Sequence, residues 1–271
     1  SIYIMQYTFL RVLQLPKNTY ERGVYLVEKN KHFPYGISKD SKIKMFCFPH
    51  AGGSASAYKK WIDYSRNTGI EVIPVEYPGR SSRFTEGNME SVRSEAQSVA
   101  KVIAESIDDS EYVLYGHSFG SLITFHVELE LETVYGKKAN AVIVSGKSAP
   151  FTVQEGYRTE MGEELLVAEL KRMKSVDEAI LNNKIYLDFF LPIIMNDYRL
   201  NEQYIYENEK INAKIIAFSS YDDVGSEPFR MKEWRNITDS QFILVPKNGS
   251  HFFIFEEGEE FFREVIAQLE R

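Results

Sequence analysis

The sequence predicts an α/β protein built on a doubly wound, mostly parallel central sheet flanked by helices. Two observations carry that reading. Short apolar runs alternate with longer amphipathic ones from about residue 42 onward, and several of the short runs are apolar throughout rather than at every second position. Strands alternating with helices place crossover helices on both faces of a sheet, and strands covered on both faces need no polar side. The predicted strands are Ile43–Phe48, Glu71–Glu76, Tyr112–Tyr115, Ala141–Ser145, Lys214–Phe218 and Gln241–Val245. Between them, Ser91–Ile107 carries Val92, Ala96, Val99, Ile103 and Ile107, whose spacing draws one stripe along a helix. Phe262, Val265, Ile266 and Leu269 repeat the pattern in the last segment.

One stretch breaks the alternation. From about Phe151 to Asn212 there is helix-like sequence only, in pieces at Glu163–Met173, Val176–Leu181 and Lys184–Met195, the last interrupted by Pro192. At about sixty residues it is too long for an ordinary crossover, so a helical lid over the strand ends is expected. The predicted organisation is a core from residues 41–150 and 213–271 with a lid at 151–212. Residues 1–40 form an extension of open role, in which Gln6–Leu13 and Gly23–Val27 read as strands that join the sheet edge or stand apart.

Composition narrows the function. The chain of 271 residues is 44% hydrophobic and 14% aromatic, enough for a large buried core, and its net charge of −7 disfavours a general nucleic-acid role. Its one cysteine, Cys47, sits in the apolar run Met45-Phe46-Cys47-Phe48 and reads as a packed thiol; no intramolecular disulfide is possible. No apolar run approaches the roughly 18 residues of a membrane span. The first residues lack the pattern of a secretory leader. A cytoplasmic, monomeric protein with no membrane or nucleic-acid partner is expected.

The chemistry concentrates in Gly116-His117-Ser118-Phe119-Gly120. This Gly-x-Ser-x-Gly run follows a predicted strand and precedes the helical run Ser121–Leu131, the setting in which small flanking residues allow a sharp turn to present a nucleophilic serine. The turn places the Ser118 hydroxyl at a helix N-terminus, where developing negative charge is favoured. A serine needs a base. In this strand–turn–helix arrangement the partners follow in the order serine, acid, histidine, which selects His251, in the loop after the last predicted strand. His126 lies inside the helix that the turn opens and reads as structural. The acid belongs after Lys214–Phe218, where Asp222 and Asp223 both stand; Glu227 reads as the start of the helix leading to Trp234. The small-residue segment Phe48-Pro49-His50-Ala51-Gly52-Gly53-Ser54 follows the first core strand, and its Ala51 N–H with that of Phe119 makes a candidate oxyanion hole. It matches neither GxGxxG nor GxxxxGK[ST], so a phosphate loop is not expected. No His, Cys or carboxylate cluster has metal-ligand spacing, and no metal is expected.

Together these pieces resemble the type II thioesterases of nonribosomal peptide and polyketide synthesis. The likeness rests on Phe48–Ala55 with Trp61, Pro78-Gly79-Arg80, Gly116–Gly120 and Gly249-Ser250-His251-Phe252-Phe253. It extends to Ser145-Gly146-Lys147-Ser148-Ala149-Pro150, with Lys147 where the family commonly has arginine, and to Leu191–Asp197 followed by Glu202 and Tyr204. The resemblance implies an α/β-hydrolase fold and a serine thioesterase that needs no cofactor. It implies a substrate carried on the phosphopantetheine arm of an acyl or peptidyl carrier protein. It aligns the acid with Asp223, Asp222 being the runner-up, and makes His50, Gly52, His117 and Phe252 candidate substrate contacts. Ser219-Ser220 and Val224 depart from the glycines and proline common there. Carriers are usually acidic, so Lys171, Arg172 and Lys174 are candidate docking residues, although a solvated helix face is the plainer reading. Alternatives on the same scaffold are a carboxylesterase or lipase, an acyltransferase, and a catalytically silent binding protein. The complete Ser, Asp and His set opposes the last.

Overall fold

The computed structural model describes residues 28–38, 41–108, 110–152, 157–173 and 181–271. Six strands form the main sheet: β3 (Ile43–Phe48), β4 (Ile70–Pro74), β5 (Glu111–His117), β6 (Ala141–Ser145), β7 (Ile215–Ser220) and β8 (Phe242–Lys247). Their order is β4-β3-β5-β6-β7-β8, and every neighbouring pair is parallel. The strand expectations hold to within two residues at each end, and the residues added at the C-terminal ends of β5, β7 and β8 lie where those strands run on into the loops of the site.

The apolar runs are continuous because alternate side chains enter two different cores. Phe46 and Phe48 of β3 join Leu114, Val142, Val144 and Ala217 on one face, against the helices α2 (Val92–Ser106) and α3 (Phe119–Val134). Met45 and Cys47 join Val113, Tyr115, Ile143 and Phe218 on the other, against Trp61 of α1 (Lys59–Tyr64) and Phe261, Phe262 and Val265 of the C-terminal helix. Cys47 is fully buried, and burial pushes its thiol pKa well above the usual value. The α2 stripe is realised as read: Val92, Ala96, Val99 and Ile103 are all buried, and Ser91 caps the helix by accepting from the Ser94 N–H at 3.0 Å. Such a cap contributes about 1 kcal/mol.

The strand order sets where a ligand can enter. From β3 the chain steps outward to β4, then returns to β5 on the opposite side of β3 and continues to β8. Connections leaving in opposite directions open a crevice beyond the C-terminal ends of β3 and β5. The loop at Phe48–Ser54 and the turn at Ser118 stand at those two ends.

Between β6 and β7 the described residues hold helices and no strand: α4 (Glu163–Arg172) and α5 (Lys184–Glu202). The expected break at Pro192 does not occur, since α5 runs through it. Proline withdraws the N–H that would reach the Asp188 carbonyl; both residues are exposed, and the helix continues through the buried residues Ile193, Ile194, Asn196 and Asp197. Leu166, Leu170, Leu181 and Ile194 form a small apolar cluster of their own. Near the N-terminus, β1 (Glu28–Asn30) and β2 (Phe33–Ile37) pair antiparallel in a separate two-stranded sheet, pinned by Phe33 against Phe46 at 5.3 Å between ring centres. The expected strands Gln6–Leu13 and Gly23–Val27, residues 176–180 and Lys174 lie outside the described residues. The chain closes with α6 (Pro228–Met231), α7 (Phe253–Glu256) and α8 (Glu259–Leu269). Glu227 is the residue at the N-terminus of α6, as its sequence position suggested.

Candidate active site

Ser118 occupies the tight turn between β5 and α3, with φ 54° and ψ −123°. That backbone lies outside the regions an L-residue normally adopts, and such strain persists only where the surroundings enforce it. Both flanking glycines are needed for it. A Cβ on Gly120 would sit 2.1 Å from the Phe48 carbonyl oxygen, and one on Gly116 would sit 2.4 Å from Thr124 Oγ1 and 2.5 Å from the Gly120 carbonyl oxygen. The Ser118 N–H donates to the Ser145 carbonyl at 2.8 Å, tying the turn to β6. The hydroxyl therefore stands at the first turn of a sixteen-residue helix.

The acid and base come from the loops after β7 and β8. His251 Nδ1 hydrogen-bonds Asp223 Oδ2 at 2.8 Å, and Asp223 also accepts from the Ser226 hydroxyl of its own loop. With Nδ1 donating to the carboxylate, Nε2 is the nitrogen left to take a proton. Asp222 acts elsewhere, since its Oδ2 accepts the Gly249 N–H at 2.9 Å and fastens the β7 loop to the loop that carries His251. Ser220 adds a second tie, donating to the Gly249 carbonyl at 2.6 Å. Of the two aspartates, the structure pairs Asp223 with the histidine. Ser219 and Ser220, in place of glycines, are the fully buried last residues of β7.

Ser118, Phe119, His50, Ala51, Asp223, His251 and Phe252 line one cavity of about 330 Å³. Gly52 and His117 do not line it. His117 is buried behind the base, its ring centre 5.0 Å from that of His251 and its Nδ1 2.9 Å from the Ser145 hydroxyl. His50 lies edge-on to Phe252 at 4.9 Å. Burial, then the neighbouring His251, lowers both of these imidazoles, His50 to about 3 and His117 well below the usual value. Two neutral rings thus pack beside the base without competing for its proton. His126 is buried on α3 and bonds the Tyr204 hydroxyl at 2.9 Å, so it serves packing.

The loop after β3 is held by a pair of side chains whose role the sequence did not reveal. Arg80 and Asp197 are 3% and 0% exposed and form a two-pronged ion pair at 2.7 and 2.8 Å. Asp197 Oδ2 also accepts the Gly52 N–H at 2.8 Å, and Arg80 donates to the Gly53 carbonyl at 3.0 Å. One charge pair therefore clamps α5 to the backbone next to Ala51. Pro78-Gly79-Arg80 and Asp197 stood out as motif residues, yet only the fold brings them within reach of each other. Breaking a buried pair leaves an uncompensated charge and costs about 3–5 kcal/mol. Asp197→Ala is expected to lose that much stability in urea unfolding, with kcat falling as the loop loosens. A loss below about 1 kcal/mol would show that the pair is dispensable.

The lining of the cavity also holds four basic residues, Lys147, Arg158, Arg172 and Arg230. Of the candidate docking residues, Lys171 bonds the Asn182 side chain at 2.8 Å, and Arg172 is turned to Glu169 at 2.7 Å. No group of three His, Cys, Asp or Glu among the described residues could hold a metal ion, and no described helix is long and apolar enough to cross a membrane.

A nucleophile turn at the end of the middle strand, a His–Asp pair from two later loops and a small-residue loop at the neighbouring strand define a serine hydrolase of the α/β-hydrolase fold. Residues 43–269 match the thioesterase domain family, and the protein belongs to it. Over 231 residues it is 27% identical to Thioesterase PikA5 of Streptomyces venezuelae, covering 85% of this chain and 82% of that one. Over 256 residues it is 28% identical to the gramicidin S biosynthesis protein GrsT of Aneurinibacillus migulanus, covering 90% and 96% respectively. Among solved structures, the type II thioesterase BorB from the borrelidin biosynthetic cluster matches with a TM-score of 0.77 at 29% identity, covering 88% of this chain and 96% of that chain. The chain is accordingly a hydrolase of thioesters.

Proposed function

We propose that this protein is an editing type II thioesterase, which releases acyl groups from the phosphopantetheine thiol of carrier proteins in nonribosomal peptide or polyketide synthesis. The observation that best supports it is the meeting of Ser118, the His251–Asp223 pair and the Ala51 loop in one cavity walled by α5, in a chain that resembles such enzymes over nearly its whole length.

The thioester enters the cavity with its carbonyl carbon facing Ser118 Oγ. His251 Nε2 takes the hydroxyl proton as the oxygen attacks, and the Asp223 carboxylate stabilises the imidazolium through Nδ1. The carbonyl oxygen gathers negative charge and is met by the Ala51 and Phe119 N–H groups, helped by the N-terminus of α3. Collapse of the tetrahedral intermediate breaks the C–S bond, and the thiolate leaves with the proton from His251. Water, deprotonated by the same nitrogen, then cleaves the acyl-serine and returns Ser118 to its starting state. His50 and Phe252 wall the cavity beside the reacting carbonyl. His117 supports the base from behind, and Gly52 anchors the oxyanion loop through Asp197. The protein works as a monomer in the cytoplasm without a cofactor, meeting its carrier transiently.

The test is acyl release from a phosphopantetheinylated carrier protein beside the matching N-acetylcysteamine thioesters and ethyl esters. Carrier-bound acetyl and longer acyl groups are expected to turn over with kcat/KM at least tenfold above the free thioesters. Equal or faster cleavage of the ethyl esters would make the protein a general esterase on the same triad.

A further inference from the structure

Among the described residues, the four basic side chains of the cavity lining share only two carboxylate partners, Glu169 and Glu227. Arg172 is taken up by Glu169, and Arg230 lies 3.3 Å from Glu227. Of the two carboxylates in the lining, Asp223 holds His251 and Asp222 holds the Gly249 N–H. Arg158 has a long contact to Glu169 at 3.8 Å and another to the Met173 sulfur at 4.0 Å, its guanidinium lies over the Tyr198 ring at 5.3 Å, and its buried Nε has no hydrogen-bond partner among the described residues. Lys147 is half-buried, and among the described residues its ammonium has neither an ion pair nor a hydrogen bond. Its backbone, by contrast, is fixed, because the Trp234 indole N–H donates to the Lys147 carbonyl at 2.7 Å. Gly146 and Ser148 on either side also line the cavity that holds Ser118.

Holding an ammonium and a guanidinium in one cavity lining, partly out of water and with only the distant Glu169 carboxylate to offset them among the described residues, is unfavourable. The strain shows in Lys147, lowered to about 8 first by burial and then by Arg158. It still carries its charge at neutral pH. An anionic group placed there would be held through charge-assisted hydrogen bonds, which are stronger than neutral ones.

We propose that Lys147, with Arg158, forms a subsite for an anionic oxygen group of the thioester substrate, either a carboxylate on the acyl chain or the phosphate of the phosphopantetheine arm. The proposal rests on the reading of this cavity as the thioester site. It makes the enzyme selective for a class of substrate: an acyl chain ending in a carboxylate, or an arm still bearing its phosphate, is held more tightly than its neutral counterpart.

The experiment uses four thioesters and three proteins. The substrates are acetyl and succinyl thioesters of N-acetylcysteamine, which lacks phosphate, and of phosphopantetheine. The proteins are the wild type, Lys147→Gln and Lys147→Arg. The readout is the ratio of kcat/KM for an anionic substrate over acetyl-N-acetylcysteamine, which does not depend on the fraction of a variant that folds. The wild-type ratio is expected to be about 10 or more, to fall to near 1 in Lys147→Gln through KM, and to be largely kept in Lys147→Arg. A ratio that follows succinyl on either thiol assigns the subsite to the acyl carboxylate; one that follows phosphopantetheine with either acyl group assigns it to the arm. A wild-type ratio near 1, or one that Lys147→Gln leaves unchanged, would overturn the subsite while leaving thioester hydrolysis standing. No hydrolysis of any of the four by the wild type would overturn the thioesterase reading and the subsite with it.

Discussion

Replacing Ser118 with alanine is expected to lower kcat by four to six orders of magnitude, with the protein still folded. The loss is large because everything else in the site is arranged around an oxygen that would be gone. The strained backbone at φ 54°, the glycines that permit it and the helix N-terminus beneath it all present a single hydroxyl to the cavity. In triad enzymes removal of the nucleophile costs roughly 10⁶ in kcat, and the residual rate comes from the oxyanion hole and binding alone. The fold is expected to survive, because alanine keeps the N–H that donates to the Ser145 carbonyl. A thermal midpoint within about 2 °C of the wild type would check that point. Retention of more than a few per cent of activity would move the nucleophile elsewhere.

The second large effect separates two adjacent carboxylates. Asp223→Asn is expected to lower kcat by about 10⁴, because an amide that can donate to Nδ1 stabilises the wrong tautomer of His251 and no longer offsets the imidazolium charge. Asp222→Asn is expected to cost less than tenfold. The Asp222 partner is the Gly249 N–H at 2.9 Å, which an asparagine oxygen can still accept. Parallel measurement of kcat/KM for the two variants on one acyl thioester decides the matter. Equal losses would mean that the two aspartates share the role, and a larger loss at Asp222 would reverse the assignment.

Much of this arrangement was legible before any coordinates. Where burial is complete on both faces of the sheet, composition alone marks the strand, which is why Ile43–Phe48 and Ala141–Ser145 were found to the residue. Ser118 and His251 were legible for a different reason. A strand, a sharp turn and a helix must lie next to one another in the chain, and few histidines follow the serine. Local sequence fell short where long-range contact decides. Pro192 read as a helix break because the penalty of proline is local, whereas the apolar and polar contacts that carry α5 through it come from distant parts of the chain. The Arg80–Asp197 clamp spans 117 positions and joins two motifs by nothing that a pattern can express. Asp222 and Asp223 are adjacent, so position alone left both open and the family resemblance favoured Asp223; the path of the loop turns that residue to the histidine and Asp222 to the Gly249 backbone. Gly52 and His117 read as substrate contacts because they stand in two of the motifs that carry the resemblance. In the fold they stand behind its lining and support its walls.

The central claim is that catalysis passes through an acyl group bound to Ser118, and trapping that intermediate tests it most directly. The protein would be mixed with an acyl-carrier thioester, quenched in acid within milliseconds and digested, and its peptides weighed. The account predicts a mass increase equal to one acyl group on the peptide containing Ser118, absent from Ser118→Ala. Acyl mass on another residue, or rapid hydrolysis with no acylated peptide at any time point, would contradict it.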